Sequence, residues 1–287
     1  MASGAEGKDI IPQEGKPKSI SKKKYLGQHF AKPRTLKRII ALAGPDNKDS
    51  IKGKTVVEIG AGDGRLTRLL AVAGAKKVYA IELDRGLCNK LDHIFNSEEN
   101  SGNVEKGKVE IICGNILKID FPACDMVFGN VPFYISSGIM KKLIQIQNTN
   151  HFNYAILMFQ KEFVDKITSS GNKNMTALSV LANNYFEIKK LLTVDRDEFE
   201  PAPKVDATVI KLTPRAQPIF TEPQLKIAMK MFSNKKISML RQLSQLPEMK
   251  GDRGKAGYIL EKLGIGGGQR VYHLGLATLK KLMDEIT

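Results

Sequence analysis

The stretch Glu58-Ile59-Gly60-Ala61-Gly62-Asp63-Gly64 follows a short β-branched run and opens a helical pattern, the setting of a nucleotide-binding turn. Its spacing is GxGxG, which is not the dinucleotide fingerprint, and acids flank it at Glu58 and Asp63. Those acids repel a pyrophosphate and favour a ligand with a cationic end, because opposite charges attract in a partly buried site. S-adenosylmethionine, with an ammonium, a sulfonium and no phosphate, meets that description. Glu82 and Asp84 stand about 20 residues beyond the glycines, where an acid in such folds binds ribose hydroxyls. A third stretch, Gly129-Asn130-Val131-Pro132-Phe133-Tyr134, comes directly after the apolar Met126-Val127-Phe128. Asn and Pro are turn formers and two aromatics suit a core beneath a turn, so the hexapeptide alone leaves structure and chemistry both open.

Apolar spacing supplies the elements that must hold these stretches. A helix is predicted over 36–42 and is stopped by Gly44-Pro45. Strands follow at 55–59, 77–81, 109–113, 126–128 and 154–159, with helices at 66–72, 86–95 and 137–147 among them. Strands separated by helices of this length imply right-handed βαβ crossovers and a mostly parallel sheet covered on both faces. Later strands at 186–192 and 208–212 are predicted to complete one edge. Beyond Pro214 the pattern turns helical, with Leu225, Ala228 and Phe232 on one face and Gly266-Gly267-Gly268 as a loop.

With 287 residues the chain can bury one sizeable core and carry a smaller appended domain, and 42% apolar content is ordinary for a soluble globular protein. No apolar run approaches the roughly 18 residues that span a bilayer. The N-terminus has dispersed Lys and Glu rather than the apolar stretch of a signal peptide, so a cytoplasmic location away from membranes is expected. Lys and Arg number 45 against 30 Asp and Glu, a formal +15 with a pI near 9.6. A field of that sign attracts polyanions, nucleic acid foremost. The excess concentrates in Lys16, Lys18, Lys22, Lys23 and Lys24, and again in Lys235, Lys236 and Arg241. Cys88, Cys113 and Cys124 are odd in number and form no CxxC pair. They read as reduced core or near-core residues, with neither a disulfide framework nor a zinc site.

Further stretches join the first three. Gln28-His29-Phe30 precedes the glycine turn, which continues to Thr67; Gly114-Asn115-Ile116-Leu117 follows Glu82-Leu83-Asp84; Ile135-Ser136-Ser137 extends the hexapeptide. Then come Gln160-Lys161-Glu162, Leu178-Ser179-Val180 and the long Phe199-Glu200-Pro201-Ala202-Pro203-Lys204-Val205-Asp206. In this order they resemble the motifs of the ribosomal RNA adenine N6,N6-dimethyltransferases, and the resemblance runs from about Gly27 to the C-terminus. It implies an α/β fold: after a flexible basic tail over 1–24, a Rossmann-like S-adenosylmethionine-dependent methyltransferase domain over 25–215, then a small all-helical RNA-binding domain over 216–287. The implied cofactor contacts are Gln28, His29, Ala31, Glu58, Gly60, Gly62, Glu82, Asn115 and Asn130, and the implied catalytic segment is Asn130, Pro132 and Phe133.

By the same resemblance, the Asn130 side-chain oxygen and a main-chain carbonyl near Val131 or Pro132 accept the two N6 hydrogens of an adenine and aim the nitrogen lone pair at the sulfonium methyl. Pro132 fixes the backbone and removes a competing donor, and Phe133 stacks on a base drawn out of its helix or loop. Positioning drives such a displacement, with no metal and no dedicated general base. Asn115 stands where relatives carry an acid that accepts from the cofactor's adenine amino group; an amide oxygen still accepts, without charge assistance. Ala31 replaces the usual Leu and Gly138 the usual Pro, which implies a looser pocket edge. Lys235, Lys236 and Arg241, on the basic face of a helix predicted over 232–241, are the candidate phosphate contacts. The implied function is dimethylation of two adjacent adenines near the 3′ end of small-subunit ribosomal RNA, on the RNA or a pre-ribosomal particle, by a monomer. The rivals are a large-subunit methyltransferase of the macrolide-resistance type and a non-catalytic ribosome-assembly or transcription factor on the same fold. DNA adenine methylation fits less well, since its tetrapeptide usually continues Pro-Pro.

Overall fold

The computed structural model describes residues 28–44, 50–97, 104–147, 152–169 and 175–287, so the tail expected over 1–24 lies outside the described residues. In chain order the elements are β1 (Phe30–Ala31), α1 (Pro33–Ala41), β2 (Thr55–Ile59), α2 (Arg65–Val72), β3 (Lys77–Glu82), α3 (Arg85–Asn96), β4 (Val109–Cys113), β5 (Met126–Asn130) and α4 (Ser136–Gln147). They continue with β6 (Tyr154–Gln160), α5 (Lys161–Ile167), α6 (Ala177–Tyr185), β7 (Phe186–Val194), β8 (Phe199–Glu200) and β9 (Ala207–Pro214). Four helices follow: α7 (Glu222–Ser233), α8 (Met239–Ser244), α9 (Arg253–Lys262) and α10 (Leu276–Ile286).

The main sheet has the order β4-β3-β2-β5-β6-β9-β7, parallel from β4 to β6 and antiparallel where β9 meets β6 and β7. Successive side chains of its strands enter opposite cores, as a pleated strand requires. Val56, Met126, Phe128 and Ile156 pack with Leu36, Leu66, Leu70, Leu91 and Phe95 of the helices on one face. Val57, Val127, Ala155 and Leu157 pack with Ile139, Leu143, Val164 and Ala182 on the other. Continuous β-branched and apolar runs in β2, β5 and β6 are therefore the mark of strands covered on both sides.

A second, two-stranded sheet pairs β1 with β8, setting Phe30 opposite Glu200 and Ala31 opposite Phe199. Helices α7 to α10 build a third core around Met231, Leu243, Leu260 and Leu282, joined by Met175 and Val180 from the sheet side. Asn184 at the end of α6 stitches the two together, its side-chain oxygen accepting from Phe220 N at 2.7 Å.

Two expectations are corrected here. Cys88 and Cys113 are not reduced: they form a disulfide with a Cα–Cα separation of 5.8 Å, while Cys124 is free. The parallel neighbours β3 and β4 bring the end of β4 beneath the first turn of α3, a meeting across 25 residues that no local cysteine pattern announces. The helix predicted over 232–241 is also broken. It ends at Ser233 and restarts at Met239, and the Gln242 side chain donates to the Asn234 and Ile237 carbonyls at 2.8 and 3.0 Å to hold the intervening turn.

Candidate active site

A cavity opens at the C-terminal ends of β2, β3 and β5, where strand order reverses about β2, the usual ligand position in an open α/β sheet. Gln28, His29, Ala31, Glu58, Gly60, Gly62, Glu82, Asn115, Asn130, Pro132 and Phe133 all line it. Lys235, Lys236 and Arg241 do not: they are exposed on the turn after α7 and on α8, and none forms an ion pair among the described residues.

The glycine turn is built for close approach. Gly60 and Gly62 have φ of +74° and +59°, the left-handed region that side chains disfavour. A Cβ on Gly62 would stand 2.9 Å from the Phe30 ring, whereas one on Gly60 would project to 3.6 Å from the Asn130 carbonyl oxygen and Pro132. The first glycine thus keeps open the passage between the turn and the hexapeptide. Main-chain bonds from Gly60 N and Ala61 N to the Ile81 carbonyl, 2.9 and 3.0 Å, fix the turn to β3.

The acids divide their work. Glu82 accepts from Gly62 N on one carboxylate oxygen and from Leu83 N and Asp84 N on the other, each at 2.9 Å, leaving acceptor capacity on an already rigid group. Asp84, read from sequence as a partner in ribose binding, instead caps α3 by accepting from Gly86 N at 2.7 Å and Leu87 N at 3.3 Å. Asp63 pairs with Arg65 at 2.6 Å. Glu58 is 1% exposed and accepts from the Thr67 hydroxyl at 2.6 Å. Burial raises its pKa to about 8, and the nearby Glu82 and Asp63 push the same way against the Thr67 hydrogen bond. A cation in the cavity favours its ionised form. Flexed glycines, a fixed acceptor carboxylate and a buried acid awaiting positive charge make a donor and acceptor set that fits S-adenosylmethionine.

Asn115 is anchored by its own loop. Its side-chain oxygen accepts from Leu117 N at 3.0 Å, which leaves one lone pair on that oxygen and the amide NH2 group. A Cβ on Gly138 would lie 2.9 Å from Leu117, which places that glycine against the loop carrying Asn115. Asn130 closes β5, and its Nδ2 donates to the His29 carbonyl at 2.7 Å. The His29 and Phe133 rings stack with centroids 5.8 Å apart and planes inclined by 28°. Pro132 starts a 3-10 turn over Phe133–Ile135, where its own carbonyl accepts from Ile135 N at 3.1 Å.

Some participants escaped the sequence reading. Tyr134, 60% exposed, lines the mouth beside Phe133. Arg34, Thr35 and Glu198 form a cluster that fastens the start of α1 to the segment before β8. The closeness of residues 30 and 200 is tertiary; the one available signal was the long Phe199–Asp206 motif, whose position gave no partner.

Parallel βαβ architecture, antiparallel closing strands and this cavity define a Rossmann-like methyltransferase. The chain belongs to the ribosomal RNA adenine dimethylase family, whose model matches residues 19–286. It is 40% identical over 184 residues to a probable ribosomal RNA small subunit methyltransferase A of Methanosarcina acetivorans, covering 64% of this chain and 62% of the relative. The chain thus spans under two thirds of the length of that relative and of its Methanosarcina counterparts. A ribosomal RNA small subunit methyltransferase A of Pelagibacter ubique is 31% identical over 276 residues, covering 93% of this chain and 97% of the relative. Among solved structures, a dimethyladenosine transferase from Plasmodium falciparum matches with a TM-score of 0.69 at 27% identity, covering 88% of this chain and 96% of that one. The 23S rRNA methyltransferase ErmE matches with a TM-score of 0.69 at 25% identity, covering 90% and 99%.

Proposed function

We propose that this protein transfers methyl groups to the N6 atom of adenine in small-subunit ribosomal RNA, twice per base, with S-adenosylmethionine as donor. The observation that carries the reading is the convergence of Asn130, Pro132 and Phe133 on the cavity that also holds Gly60, Gly62, Glu58 and Glu82. When bound, S-adenosylmethionine supplies a methyl group activated by its sulfonium. Glu82 accepts from ribose hydroxyls with its remaining lone pairs, and Glu58 answers the ligand's positive charge from beneath the glycine turn. Asn130 Oδ1 and a neighbouring main-chain carbonyl hold the adenine amino group so that its lone pair, otherwise delocalised into the ring, points at the methyl carbon. Phe133 supports the base, and the displaced N6 proton passes to solvent. No metal enters this scheme.

Residues 25–215 supply this chemistry, and residues 216–287 present Lys235, Lys236 and Arg241 to RNA phosphates. In this reading the protein works as a monomer in the cytoplasm, where small-subunit RNA is its substrate. Small-subunit RNA is preferred to large-subunit RNA because the curated relatives above carry the small-subunit name, whereas ErmE, equally similar in fold, carries the 23S one. Incubation with labelled S-adenosylmethionine and small-subunit particles, large-subunit particles or bare RNA tests the reading. Label should enter small-subunit RNA. Label confined to large-subunit RNA overturns the substrate, and cofactor binding without transfer to any RNA favours an assembly factor.

A further inference from the structure

A carbonyl oxygen only accepts hydrogen bonds, so the Asn130 atom lying 2.7 Å from the His29 carbonyl must be the amide nitrogen. Oδ1 is then the acceptor branch of the planar amide, in a residue that lines the cavity, while Nδ2 keeps a second hydrogen. An amide free to rotate would present a donor to the adenine amino group as readily as an acceptor. The carbonyl that removes this ambiguity belongs to a short strap over 28–32, and the strap is tied down at several points. The His29 ring Nδ1 meets the Pro201 carbonyl at 2.7 Å, which fixes Nδ1 as the protonated nitrogen in the neutral ring. Residues 30 and 31 pair with 200 and 199, and Lys32 N donates to the Glu198 carbonyl at 2.8 Å. The Glu198 side chain accepts from Thr35 Oγ1 at 2.6 Å and from Arg34 Nε at 2.8 Å, with a second bond from the same guanidinium. Those partners hold its carboxyl at about 2, so the clamp stays ionised under working conditions.

We infer that His29 is a positioning residue for methyl transfer: its main-chain carbonyl, held in place by the ring's bond to Pro201 and by the Glu198 clamp, orients the Asn130 amide so that Oδ1 faces the target amino group. This rests on the function proposed above, and it assigns His29 a part distinct from contact with the cofactor. It also explains why an amide rather than a carboxylate suits position 130. A carboxylate there would set oxygen against the His29 carbonyl oxygen with no proton between them.

The test combines kinetics with a probe that needs no RNA. In protein labelled with nitrogen-15, the Asn130 side-chain amide hydrogens should exchange slowly with solvent in the wild type and at least tenfold faster in His29→Ala and Glu198→Ala. At saturating RNA and cofactor, both variants should lose tenfold or more in kcat while cofactor Kd changes less than threefold. His29→Asn, which keeps a donor for the Pro201 carbonyl, should recover part of the rate. In an Asn130→Ala background, Glu198→Ala should cost nothing further, and His29→Ala only the part that its stacking on Phe133 contributes. Slow exchange retained in both variants overturns the inference, as does weakened cofactor binding with kcat intact. A kcat loss that adds in full to that of Asn130→Ala also overturns it. If no RNA accepts methyl groups from the wild type, the functional reading fails, and the exchange measurement still decides the orientation of the amide.

Discussion

At the scale of single residues, Glu58 and Asn115 have consequences that the positions alone do not announce. Glu58 titrates near 8 in the folded, ligand-free protein instead of 4.5, so the native state holds a proton that the unfolded chain has released between those values. Stability without cofactor therefore declines as pH rises through that interval, reaches its full penalty above it, and is unaffected by Glu58 below it. Glu58→Gln, neutral throughout, should remove that decline, and unfolding midpoints measured from pH 5 to 8.5, roughly spanning the window, check it; an unchanged slope would mean Glu58 is ionised. Asn115 makes a different prediction. Because Leu117 N takes one lone pair of its side-chain oxygen, Asn115→Asp supplies a charged acceptor with a second oxygen for the cofactor's adenine amino group and should tighten binding by about 1 kcal/mol. Calorimetry showing a tenfold loss instead would assign the Asn115 NH2 group a donor role of its own.

At the scale of elements, the sheet was legible because each of its strands carries a local signal. Runs such as Thr55–Ile59 and Val109–Cys113 are β-branched or apolar, and the strand bounds read from them match the structure. The ends of β5 and β6 run one or two residues further than predicted, since Gly129, Asn130 and Gln160 keep strand hydrogen bonding without strand-like side chains. Helices α5 and α6 went unseen; α6 is set by a capping box of Thr176 and Ser179 within an evenly apolar stretch that has little amphipathic contrast. The β1–β8 ribbon was illegible because two residues on each side carry no period at all and their pairing is tertiary. The break between α7 and α8 escaped because Gln242, which holds the turn, reads as an ordinary helical residue. The cations fare differently from the helix they were assigned to: Lys235 and Lys236 on a turn and Arg241 on α8 still lie exposed near one another in sequence. If they meet phosphates, replacing all three by neutral residues should weaken RNA binding and flatten its salt dependence by about one counterion per lost contact, with cofactor affinity unchanged. An unaltered salt slope would return them to plain solvation.

At the scale of the whole molecule, the candidate site was more legible than its surroundings. Every candidate cofactor and catalytic residue read from the motifs except Asp84 lines one cavity, from Gln28 to Phe133, because motifs in a parallel α/β sheet recur at strand ends and strand ends share an edge. What the sequence could not convey is what holds that cavity's lip: Glu198 reaching Arg34 and Thr35, and the His29 carbonyl reaching Asn130, are contacts between distant segments. A net charge of +15 is a field that attracts polyanions, and in the function proposed above selection of the reacting atom falls to the Asn130 amide. That division sets the most direct measurement. Mass spectrometry of small-subunit RNA digested at intervals during reaction should show monomethyladenine rising and then giving way to N6,N6-dimethyladenine, because the monomethyl nitrogen keeps one hydrogen for Asn130 Oδ1. Asn130→Ala, with cofactor and RNA still bound, should be slower by orders of magnitude. Monomethyladenine persisting as the final product, or an Asn130→Ala protein as fast as the wild type, would contradict the account.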